Sequence, residues 1–96
     1  MYKLFHEKHL IGIIPAPYPD GLAMQGSVEL TEKAADYKEL FDYWVDDNKD
    51  PKTEEKFSDA LFENWFVEDE DGAKHSIGLP AIFPENGKHE IAWRYL

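Results

Sequence analysis

Over residues 2–14, YKLFHEKHLIGII, apolar and polar positions alternate with a period of two, which predicts strands rather than a helix. Reading Glu7-Lys8 as a two-residue turn makes Tyr2–His6 and His9–Ile14 antiparallel partners. His6 then lies opposite His9, Leu4 opposite Ile11 and Tyr2 opposite Ile13. That face is more apolar away from its tip than the face carrying Lys3, Phe5, Leu10, Gly12 and Ile14, as a half-buried hairpin requires. Glu-Lys is a weak turn signal beside Asn-Gly, so the pairing carries the inference. Residues 15–26, PAPYPDGLAMQG, have three prolines at alternate positions and two glycines, which is loop chemistry. A short strand over Ser27–Leu30 follows.

The period then changes. Thr31 as an N-cap and Glu32 in the first turn predict a helix to about Asp46, with Tyr37, Leu40, Phe41 and Trp44 on one stripe. The stretch DDNKDPK interrupts it. Asp50-Pro51 starts a second helix, with a capping oxygen before a proline at the first helical position and Phe57, Ala60, Leu61 and Trp65 as its stripe. The last third returns to strands. Asp71-Gly72 as a hairpin turn sets Asp69 opposite Lys74, Glu68 opposite His75 and Phe66 opposite Ile77. Asn86-Gly87, the strongest hairpin signal in the chain, sets Glu85 opposite Lys88 and Ile82 opposite Ile91, with Ile91, Trp93 and Tyr95 sharing a face. Pro84 within that pairing marks a short or edge strand. Together these elements predict one α+β domain over residues 1–96, in which an antiparallel sheet of the N-terminal hairpin and the C-terminal strands packs on two central helices.

Composition narrows the function classes. Twenty acidic residues against ten basic ones give a formal charge of −10, which argues against nucleic acid or an anionic membrane as partner. An apolar content of 43% and an aromatic content of 15% are nevertheless those of a chain that folds. The absence of cysteine excludes disulfides and thiolate chemistry, and no run approaches a membrane span. With no apolar segment of signal-peptide length at its start, the chain reads as cytoplasmic.

The opening YKLFHEKHLIGII, the proline-rich loop before VELTE, the helix YKELFDYW and the terminal AWRY resemble a family of small uncharacterised bacterial proteins. That resemblance implies a single compact α+β domain and a tight turn at Glu7-Lys8. It implies no activity and transfers no catalytic residue.

The residues themselves offer little catalysis. His6 and His9 are three apart on strands, not four apart on a helix as in a zinc protease, although two imidazoles flanking a turn could chelate an ion with help from Glu7. A structural site needs further ligands, and the commoner reading is two solvated histidines at a hairpin tip. A Glu68–His75 pair fits a general base and fits a surface ion pair equally well. The acidic runs VEDEDG and DDNKD lack the glycine and glutamate positions of a calcium loop, and no nucleophile elbow or phosphate loop is present. No cofactor is implied. Aromatic residues exceed what one thin core needs: Tyr43 and Phe62 lie off their stripes and Tyr18 sits in the proline-rich loop. With Asp46, Asp47, Glu68, Asp69 and Glu70 they form a candidate partner surface. The expectation is a non-enzymatic interaction module, such as an inhibitor or immunity protein, that binds a basic protein or a second copy of itself. The alternative is an enzyme or small-ligand binder with a pocket under the 15–26 loop.

Overall fold

The computed structural model describes residues 1–85 and 87–96. Eight antiparallel strands dominate it: β1 (Tyr2–His6), β2 (His9–Ile14), β3 (Tyr18–Asp20), β4 (Ala23–Leu30), β5 (Trp65–Glu68), β6 (Lys74–Ile77), β7 (Ala81–Glu85) and β8 (Lys88–Trp93). Their order is β6-β5-β1-β2-β4-β8-β7, with β3 paired to β4 off this path. The sheet curls into a half-barrel, and the expectation of two central helices under a sheet is overturned. Its far sides are stitched through an Ile77–Tyr95 bridge, with the Gly78 N–H donating to the Arg94 carbonyl (3.1 Å) and the Leu96 N–H to the Ser76 carbonyl (3.1 Å).

Among the described residues one helix of 13 residues is present, and it begins as a 3₁₀ segment over Glu32–Tyr37 before becoming α1 (Lys38–Trp44). Thr31 does not cap it. Its hydroxyl instead donates to the Leu10 carbonyl (2.7 Å) and lies 3.2 Å from that of Ile11, while its N–H donates to the Ile11 carbonyl (2.9 Å). The expected second helix reduces to α2 (Pro51–Glu54) and a separate 3₁₀ turn over Asp59–Phe62, because Ser58 between them is extended (φ −70°, ψ 151°). The Asp50 cap is real, its Oδ1 accepting the Lys52 N–H at 2.9 Å, but no residue of α2 is buried. Without a buried face, a capped start does not propagate.

Two strand registers also differ from the expected ones. His6 does face His9, but Phe5 pairs with Leu10 and Leu4 with Gly12, so Ile11 is an inserted bulge residue. The bulge turns Ile14 rather than Ile13 inward, and Ile11 and Ile14 are both fully buried. In the β5–β6 hairpin Glu68 pairs with Lys74 and Val67 with His75, one residue away from the expected pairing. The loop there has three residues, closed by the Asp69 N–H donating to the Ala73 carbonyl (2.9 Å), with Gly72 at φ 84°. Ile82–Ile91 and Glu85–Lys88 pair as the sequence predicts, although Asn86 of that turn lies outside the described residues. Ile91 and Trp93 share the buried face, whereas Tyr95 is half exposed beyond the strand end.

The proline-rich stretch is not a loop over its whole length. Residues 18–20 pair with 23–25 around Gly21 (φ 63°), and β4 is a strand of eight residues. Pro19 is tolerated because β3 is an edge strand. The core gathers Leu4, Ile11, Ile14, Val28, Val67, Ile77, Ile91 and Trp93 from the sheet against Tyr37, Leu40 and Phe41 of the helix.

At Gly12 the neighbouring strand approaches closely. A Cβ there would lie 2.7 Å from the buried Val28 Cγ2 and 3.2 Å from the Glu29 carbonyl oxygen. Val28 is β-branched and packed, so it has no easy rotamer to retreat to. Gly12→Ala is expected to cost about 1–3 kcal/mol, read as a lower urea midpoint, and an unchanged midpoint would contradict the packing.

Candidate functional site

Where α1 stops after Trp44, the chain leaves the sheet, runs through α2, and returns at Trp65. Two hydrogen bonds fix the returning turn to the sheet. The Ala60 carbonyl accepts from His6 Nε2 (2.8 Å) and the Leu61 carbonyl from Trp65 Nε1 (2.9 Å). A third bond joins the Glu7 N–H to the Asn64 carbonyl at 2.9 Å. This crossover therefore has a defined position despite its scant helical structure.

Four aromatic rings meet along it. Tyr43, buried, packs on Phe57 (5.6 Å between centroids), and Phe57 packs on Phe62 (6.2 Å, 79°). Trp44 packs on Phe62 from the other direction (6.3 Å, 67°). Burial raises the Tyr43 phenol above its ordinary pKa, and the carboxylates of Glu54 and Asp50 add to the effect. Trp44, Phe57 and Phe62 are half-buried and line an open groove of about 670 Å³, rimmed by Glu54, Glu55, Asp59 and Glu63. No lysine or arginine is among its lining residues. On the turn after α1, the Lys49 ammonium sits 5.6 Å from the Trp44 ring centroid and donates to the carbonyls of Trp44 (3.3 Å) and Asp46 (3.4 Å).

The expected partner residues do not converge. Phe62 lines the groove, Tyr43 supports it from beneath, and Asp46 and Asp47 are exposed on the turn after Trp44, where Asp46 Oδ1 accepts the Asn48 N–H (2.9 Å). Glu68, Asp69 and Glu70 line a separate depression with Met1 and Lys3. Asp69 braces its own turn. Its Oδ1 accepts the N–H groups of Asp71 (2.9 Å) and Ala73 (3.0 Å), and its Oδ2 lies 2.8 Å from His75 Nε2. The His75 hydrogen bond, with those amides, holds the Asp69 carboxyl below its ordinary pKa. The expected Glu68–His75 pair is thus replaced by Asp69–His75. Tyr18 stands alone on β3, 52% exposed.

His6 is buried at 2% exposure, and both of its ring nitrogens are engaged. The Ala60 carbonyl can only accept, so Nε2 donates to it, while Nδ1 lies 2.7 Å from the Tyr37 hydroxyl, which donates to it when the imidazole is neutral. His6 has no lone pair to offer a metal without giving up Tyr37. His9 lies opposite it, half-buried. Among the described residues no three His, Asp or Glu side chains gather as a metal site.

Beneath the expected 15–26 loop the chain packs closely at Gly26, where a Cβ would lie 3.2 Å from the Pro17 Cα and 3.4 Å from Ile14 Cγ2. A mainly apolar cavity of about 360 Å³ lies elsewhere, between the helix and the β7–β8 hairpin, with Phe41 and Ile82 on its floor and Lys38, Asp42 and His89 at its lip.

Trp44 and Phe57 escape notice in the sequence because their spacing assigns them to core stripes. The four rim carboxylates are spread over two separate turns, and only the interleaving of acids with Phe57 and Phe62 hints at their common face. No helix among the described residues is long and apolar enough to cross a membrane. Comparison with protein-family models, with curated proteins and with solved structures found no match to this chain.

Proposed function

We propose that the chain is a non-enzymatic interaction module, of the inhibitor or immunity kind, that docks a basic segment of a partner protein in the acidic aromatic groove. The observation that carries this reading is the lining itself: three aromatic side chains surrounded by four carboxylates, with no cation among them. The formal charge of −10 would steer a basic partner toward the molecule, and the cysteine-free composition suits a cytoplasmic setting.

Magnitudes decide what such a groove can do. An exposed ion pair contributes about 0.2–1 kcal/mol and an exposed cation–π contact about 0.5–1 kcal/mol. A short basic peptide using several of each is therefore held weakly. A folded partner adding shape-complementary contacts would bind far more tightly.

The test uses a nine-residue peptide of alternating basic residues and glycine, titrated into ¹⁵N-labelled protein. Amide shifts are expected around residues 54–63, with affinity falling as salt rises. The quadruple variant Glu54→Gln, Glu55→Gln, Asp59→Gln, Glu63→Gln is expected to weaken binding about tenfold or more. Shifts centred on residues 68–71, or an affinity indifferent to the four substitutions, would sink the proposal.

The second reading, a small-ligand binder, is favoured by one observation. The 360 Å³ apolar cavity beside Phe41 and Ile82 falls within the volume range of ligand pockets.

A further inference from the structure

Resting on the docking reading above, we infer that the groove recognises an arginine side chain of the basic segment in preference to a lysine. Two observations point to a guanidinium, and a third shows that one of the rings takes a cation. The rings of Trp44 and Phe57 stand at 67° and 79° to that of Phe62, so the groove has aromatic walls in more than one orientation rather than a single flat floor. A planar cation can lie against one wall while its edge points to another.

The carboxylates of Glu54, Glu55, Asp59 and Glu63 surround those walls. A guanidinium is weakly hydrated, stacks on aromatic faces and carries five N–H donors in a plane, which lets it use ring and carboxylate together. An ammonium is a compact, strongly hydrated point charge that gains less from leaving water for a ring.

Trp44 already acts as a cation receptor within the chain. The Lys49 ammonium lies 5.6 Å from its centroid, and Lys49 is not among the residues lining the groove. The same indole therefore has an electrostatic environment that accepts positive charge at its surface.

The experiment compares three peptides of equal length and charge, alternating glycine with arginine, lysine or trimethyl-lysine, by calorimetry and by shifts of the Trp44 indole N–H. The arginine peptide is expected to bind about fivefold or more tightly than the lysine peptide. Trp44→Leu is expected to erase that preference while both peptides keep salt-sensitive binding, and Trp44→Phe to retain part of it. Phe62→Leu serves as a second test of the preference should Trp44→Leu fail to fold. Equal affinity for arginine and lysine would overturn the inference and leave the docking reading standing. Tightest binding of trimethyl-lysine would also overturn it, because that cation cannot donate to the rim. Failure of every peptide to bind would overturn the docking reading itself.

Discussion

Trp65→Ala is expected to destabilise the fold by about 3–5 kcal/mol, a large part of the roughly 5–15 kcal/mol that holds a domain together. Trp65 is 2% exposed and touches three different parts of the structure. Its ring packs on His6 of β1 (4.7 Å) and on Tyr37 (5.6 Å) and Phe41 (5.8 Å) of the helix. Its Nε1–H holds the Leu61 carbonyl of the crossover. Alanine would open a cavity where sheet, helix and crossover meet, and these three elements cannot collapse into it together. Urea denaturation followed by far-ultraviolet dichroism measures the loss. A cost below about 2 kcal/mol would mean that the site closes over and that the junction is softer than its packing indicates.

His6→Leu should cost about 2–4 kcal/mol, most of it from the Tyr37 hydroxyl left buried without an acceptor. Leucine fills similar space, so the loss is polar rather than volumetric. Tyr37→Phe alone should cost about 1–3 kcal/mol, since it leaves the buried His6 Nδ1 without its hydroxyl while Nε2 keeps its bond to Ala60. The double variant therefore separates the effects. With no hydroxyl to strand, it should be less destabilised than the sum of the two singles, with a coupling of about 1 kcal/mol or more. Additive losses would show that the 2.7 Å hydrogen bond contributes nothing of its own. Burial raises the Tyr37 phenol above its ordinary pKa, consistent with a neutral hydroxyl donating to imidazole.

The sequence made the local signals legible and hid the long-range ones. The Glu7-Lys8 turn and the Ile82–Ile91 register follow from short-range alternation and turn position, and the structure has both. The bulge at Ile11 was not legible, because HLIGII offers isoleucines at 11, 13 and 14 and the choice depends on Thr31, twenty residues away. Its hydroxyl and N–H take the carbonyls of Leu10 and Ile11 and so leave the helix start uncapped. The same competition explains why a sound capping signal gave a 3₁₀ first turn. At the β5–β6 turn, Asp71-Gly72 suggested a two-residue loop. The carboxylate of Asp69 instead gathers two amides and fixes a three-residue one.

The second helix failed for another reason. Phe57, Ala60 and Leu61 have helical spacing, but that spacing is also met by two single turns joined at an extended Ser58. The site inherited this error. Phe62 lies off the expected stripe, whereas Trp44 at the end of α1 and Phe57 at the edge of the core sit on expected stripes yet remain half-buried and line the groove. Glu54 and Glu55, which near the start of a longer helix would suit its dipole, edge a groove in the structure.

The order β6-β5-β1-β2-β4-β8-β7 interleaves strands from both ends of the chain, joined along two seams, β1 with β5 and β4 with β8. The crossover between Trp44 and Trp65 contributes no strand to either seam. Grip and frame are thus separable. Doubling a flexible connection costs only about 0.6 kcal/mol in closure entropy, so the exposed stretch of this bridge before Phe57 can be lengthened without unpicking a rung of the ladder, whereas Phe57, Leu61 and Phe62 are tied to the core they pack against.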